Sequence, residues 1–120
     1  MELDSRAPTA RTHALSDGAR VRLRLARARD EDSLRALLRR CAPGRDGLEA
    51  ARLARYDPRY RIVICATALI DSSQAVVGVA TADLDGAEPP EVLIDEHRHG
   101  ELAELLHGAL DGRVSARRRR

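Results

Sequence analysis

Hydrophobic positions change their spacing along the chain, and each change marks an element. In the stretch ARVRLRLA, Val21, Leu23 and Leu25 alternate with Arg20, Arg22 and Arg24. This period of two predicts a strand with one buried face. In RDEDSLRALLRRC the apolar positions Leu34, Leu37, Leu38 and Cys41 fall three and four residues apart, and Asp30, Glu31 and Asp32 gather at the N-terminal end. That spacing predicts a helix whose positive dipole end meets acids, stopping before Pro43-Gly44. A second helix is expected from Asp46, where Asp46 and Glu49 have capping-box spacing, to about Tyr56, before Asp57-Pro58.

The runs YRIVICATALI and AVVGVATADL are almost continuously apolar, and Asp71-Ser72-Ser73-Gln74 joins them. Runs without alternation imply strands covered on both faces, and a four-residue hairpin loop is expected between them. After the loop DGAEPP comes a short strand, Val92-Leu93-Ile94. Gly100 then leads into a helix with Leu102, Leu105, Leu106, Ala109 and Leu110 on one stripe, ending at Gly112. Residues 1–18 and 114–120 lack such a pattern and read as flexible tails around one domain, 19–113. The expected fold is α/β of the α+β kind, a mostly antiparallel sheet of about four strands with helices on its faces.

With 120 residues, the chain has room for a single core. The 43% hydrophobic content comes from Ala, Val, Leu and Ile, with two tyrosines and no Phe or Trp. All 21 basic residues are arginine, so arginine abundance is weak evidence of arginine chemistry. Their distribution says more: residues 1–61 carry 15 Arg against 9 acids, residues 62–112 carry 1 Arg against 10 acids, and the last eight residues add 5 Arg. Terminal arginines without stacking aromatics or a basic folded face do not make a nucleic-acid module. Cys41 and Cys65 are too few for a disulfide framework and read as buried free thiols. No apolar run approaches a membrane span and the N-terminus lacks a signal-peptide core, so a cytoplasmic protein is expected.

The order strand, helix, helix, strand, strand, strand, helix, opening with VRLRLARARDEDSLRALLRR and closing with EVLIDEHRHGELAELLHGAL, resembles the N-terminal part of GCN5-related N-acetyltransferases (GNAT), over about Val21 to Leu110. In that family a turn of the form Q/R-x-x-G-x-G/A after the fourth strand holds the acetyl-CoA pyrophosphate on backbone N–H groups. The resemblance places this turn at His97, Arg98, His99, Gly100, Glu101, Leu102 and Ala103, with His97 at the Q/R position, Gly100 as the first glycine and Leu102 where a small residue is expected. The motif is therefore degenerate. A bulky Leu102 is expected to hinder the phosphate, and Asp95, Glu96, Glu101 and Glu104 to repel it within a Debye length of about 8 Å. The family continues through further strands, so the resemblance also implies a truncated domain and weak or absent acetyl-CoA binding.

By the same resemblance, Glu91 is the candidate base that deprotonates an incoming amine, against the plainer reading of a solvated strand-end acid. The acidic half would attract a cationic amine. His97 and His99 could bind a metal with Asp95 or Glu96, but no further ligand follows at the right spacing, and a polar turn is the preferred reading. Two functions stand side by side: an acetyl-CoA-dependent N-acetyltransferase, and a noncatalytic domain that self-associates or binds a partner through the open edge of Val92-Ile94.

Overall fold

The computed structural model describes residues 12–118 apart from 17, 46, 71, 87 and 96–99. Five strands form one antiparallel sheet in the order β1-β2-β3-β4-β5: Thr12–Ala14, Arg20–Leu25, Arg61–Ile70, Ser73–Asp83 and Glu91–Ile94. Between β2 and β3, a 3-10 turn at Ala28–Asp30 leads into α1, Glu31–Cys41, followed by α2, Gly47–Ala54. The last element, α3, is Glu101–Arg118.

The two faces of the sheet hold separate cores, which is why the central strands show no alternation. On one face, Leu34, Leu37 and Leu38 of α1 and Ala50, Leu53 and Ala54 of α2 cover Val63, Cys65, Val76 and Val79. On the other, Leu102, Leu106 and Leu110 of α3 cover Val21, Leu23, Ile62, Ile64, Ala66, Ala80 and Ala82. The result is a layer of helix on each side of the sheet, with β3 and β4 buried between them.

A bulge in β4 fits the sheet to α3. The β3–β4 register steps from Ala66↔Gly78 to Thr67↔Val76, leaving Val77 as the extra residue. Val77 joins the cluster under α3, and Gly78 faces the same helix. A Cβ on Gly78 would lie 2.9 Å from Leu106 Cδ1, so glycine is what lets the helix approach.

Several sequence expectations change here. Thr12–Ala14 pairs antiparallel with β2 where a tail was expected, so the sheet has five strands where about four were predicted. This strand is short and its sequence, Thr-His-Ala, has no apolar alternation to announce it. The hairpin is tighter than the predicted four-residue loop: Ile70 pairs with Ser73, and Ser72 takes φ 68° in the turn. α2 stops at Ala54, short of Tyr56, whose hydroxyl donates to the Ala26 carbonyl at 3.0 Å. α3 runs through Gly108 and Gly112 to Arg118, so part of the predicted C-terminal tail is helical. Val114 packs against the core one turn beyond Leu110, and that packing outweighs the helix cost of about 1 kcal/mol for a glycine. Among the described residues no helix is long and apolar enough to cross a membrane.

Candidate functional site

The candidate site gathers around β5, which pairs only with β4 among the described residues, from Gly78↔Ile94 to Thr81↔Glu91. The Asp95 N–H extends this pairing by donating to the Val77 carbonyl at 2.9 Å. Side chains alternate along β5: Val92 and Ile94 pack toward the α3 cluster, whereas Leu93 packs toward the α1–α2 cluster.

Glu91 is an ion-paired acid at the start of β5. Arg45, just before α2, donates to both carboxylate oxygens, from Nη1 to Oε2 at 2.8 Å and from Nη2 to Oε1 at 3.0 Å. This two-pronged pairing holds the Glu91 carboxyl below the usual glutamate range, and the same partner raises Arg45. Both side chains keep 40% of their surface exposed, so the pair is in contact with water.

Past β5, His97, Arg98 and His99 lie outside the described residues, as does Glu96. The rest of the predicted phosphate turn is described. Gly100 adopts φ 69°, the left-handed region that favours glycine, and its carbonyl accepts from the Glu104 N–H at 3.0 Å to begin α3. Among the described residues, nothing lies within 4 Å of where a Gly100 Cβ would stand. Leu102 is fully buried in the core under α3. Its side chain packs in the cluster between α3 and the sheet, away from the exposed face of the first turn.

The acids of the turn are also less exposed electrostatically than their number suggests. Asp95 is buried and accepts from Arg40 Nε at 3.0 Å. Glu101 Oε1 accepts from both the N–H and the hydroxyl of Ser16, each at 2.8 Å, tying the segment after β1 to the first turn of α3. Glu104 is exposed. Ala103 is half-buried on the helix beside Leu102.

Sequence reasoning missed Arg40, Arg45 and Ser16, which are remote in sequence from the acids they hold. The lopsided charge distribution was the available signal. Among the described residues, arginines of the first half meet acids of the second in the pairs Arg40–Asp95, Arg45–Glu91 and Arg61–Asp83, with Glu88 farther from Arg61 at 3.9 Å. Part of the predicted acidic surface is thereby paired from within.

Cys65 is fully buried beneath α1, and burial pushes its thiol up to about 12, which suits a core residue and not a nucleophile. Cys41 is half-buried, and partial burial raises it as well. Among the described residues, no group of three or more His, Cys, Asp or Glu could hold a metal ion.

No protein-family model matches the sequence. No curated protein matches it either. Among solved structures, the crystal structure of the GNAT domain of S. lividans PAT superposes with a TM-score of 0.66 at 17% identity, covering 91% of this chain and 71% of that one. The α+β architecture, with its open antiparallel sheet and three helices, is therefore a GNAT-like fold.

Proposed function

We propose that this protein is an acetyl-CoA-binding domain related to N-acetyltransferases, in which the backbone from Gly100 to Ala103 receives the cofactor phosphates. The observation that carries this reading is the start of α3. Leu102 is buried in the core and Gly100 occupies a left-handed turn with free space beside it among the described residues, and the first N–H groups of a helix, with its dipole, suit an anion. His97, Arg98 and His99, which the family resemblance assigns to the same turn, lie outside the described residues. Acetyl-CoA would contribute an activated thioester, and the acceptor would be an amine.

The state of Glu91 shapes the acceptor side. A general base works best with a pKa near the working pH, and pairing with Arg45 moves Glu91 in the opposite direction. Glu91, held on both oxygens by Arg45, forms a fixed wall of the acceptor side, and the amine's proton passes to water. Acetyl transfer is tested by mixing the protein with acetyl-CoA and a panel of small amines and following thioester loss. Amine-dependent loss supports the transferase, and binding without turnover identifies a noncatalytic binder.

A second reading rests on the outer edge of β5. Val92, Leu93 and Ile94 are each half-buried, and no strand pairs on their outer side among the described residues. Such an edge offers unpaired N–H and C=O groups, and a second copy could cover it through a two-fold antiparallel pairing.

A further inference from the structure

A polar pocket of 190 Å³ opens between the end of the sheet and α2, with Glu91 on one wall. It corresponds to about six water volumes and is smaller than the roughly 300 Å³ at which drug-sized ligand sites begin. Thr81, the residue directly opposite Glu91 in the β4–β5 register, lines this pocket. Its Oγ1 is buried and finds no hydrogen-bond partner among the described residues. Leaving a buried hydroxyl unpaired is costly, so such atoms in folded proteins are ordinarily met by water or ligand.

The charged lining differs in how firmly each group is held. Arg45 is committed to Glu91 at 2.8 Å and Arg61 to Asp83 at 2.9 Å. Arg52 approaches Glu49 only at 3.9 Å and keeps 54% of its side chain exposed. Glu88 is similarly loose, its carboxylate 3.9 Å from Arg61 Nη2. Glu49, also on the pocket wall, lies 3.7 Å from Arg45 and 3.9 Å from Arg52, so one pocket combines a loosely held guanidinium, two loosely held carboxylates and a hydroxyl unsatisfied among the described residues. A guanidinium fork suits a carboxylate, a carboxylate suits an ammonium, and the small volume requires both on one short molecule.

We propose that this pocket binds a free amino acid, with its carboxylate on Arg52, its ammonium toward Glu88, and a polar atom on Thr81 Oγ1. The proposal rests on the transferase reading only for calling the occupant an acceptor. Binding itself needs no acetyl-CoA, so the two ideas fail separately.

The test is a calorimetric titration of the common amino acids, one at a time, into the full chain without acetyl-CoA. At least one should bind with a dissociation constant of about 1 mM or tighter, and its methyl ester and N-acetyl derivative should each bind about tenfold more weakly. Arg52→Ala should weaken binding about tenfold with the melting temperature unchanged, since the native side chain is largely exposed. Thr81→Val, close in shape, should weaken binding while keeping or raising the melting temperature, because it removes an unpaired hydroxyl. Absence of heat with every amino acid would overturn the proposal and leave water as the partner of Thr81. Binding unchanged in both variants would equally overturn it, by placing the ligand elsewhere.

Discussion

At the scale of single residues, the fold is tied by carboxylates that meet arginines, some close in sequence and some far along the chain. Asp30 is the most buried of them: it accepts from Arg24 Nη1 and Nη2 at 2.8 and 2.7 Å and from the Arg27 N–H at 2.7 Å. Burial alone would raise its pKa, but the arginine and backbone donors outweigh it and the net shift is downward. Asp30→Ala leaves Arg24 without its partner in a partly buried site, and should cost about 3 kcal/mol in urea denaturation. Glu91→Gln is the contrasting case. Its pair is water-exposed, so the substitution should cost less than about 1 kcal/mol at pH 7.

The pH dependence of the Glu91 pair follows from its sign. Its folded pKa is depressed, so its contribution is present above the unfolded value of about 4.3 and is lost as pH falls through the folded value. Wild type and Glu91→Gln should therefore converge in stability toward the acid end of that range. If the protein transfers acetyl groups, the rate should track the acceptor amine's own ionisation, and Glu91→Gln should retain the same pH profile. Loss of an acidic limb on substitution would identify Glu91 as the base after all.

At the scale of elements, the bulge at Val77 and the glycine after it decide how closely α3 lies on the sheet. Gly78→Val forces a β-branched side chain against Leu106 and Leu102, and should destabilise the protein by about 1–3 kcal/mol in the same denaturation measurement. Little of this was legible beforehand: the stretch AVVGVA announces a strand, but a register step of one residue leaves no mark on an uninterrupted apolar run. The strand and helix order from Arg20 to Leu110 was legible because each apolar stripe meets a continuous core. The additions, β1 and the extension of α3, escaped because they depend on contacts made elsewhere, backbone pairing to β2 in one case and packing of Val114 in the other.

The phosphate turn shows the same division. Gly100, its place between strand and helix, and Leu102 on the apolar stripe of that helix could all be read from the sequence. The charge asymmetry was visible in the sequence too, but its meaning was not, since only the folded chain shows Arg40, Arg45 and Arg61 reaching across to Asp95, Glu91 and Asp83.

At the scale of the whole molecule, the outer side of β5, which no strand pairs among the described residues, makes a prediction about assembly. A second copy paired along this edge should give a concentration-dependent dimer in light scattering, and Leu93→Pro should abolish it while circular dichroism shows retained structure, because proline removes a backbone donor. A monomer across the whole concentration range would remove the dimer and leave the edge without a second copy.

Placing the phosphates of acetyl-CoA at the start of α3, as proposed, is decided by calorimetric titration of acetyl-CoA into the full chain, with Gly100→Val alongside. The left-handed φ of Gly100 is strained for a β-branched residue, so the variant should distort the turn before α3. Saturable binding by the wild type and its loss in the variant are expected, with the melting temperature of the unliganded variant showing that the fold survives. No heat from the wild type at millimolar acetyl-CoA, or equal affinity in wild type and variant, would place the cofactor elsewhere or nowhere on this chain.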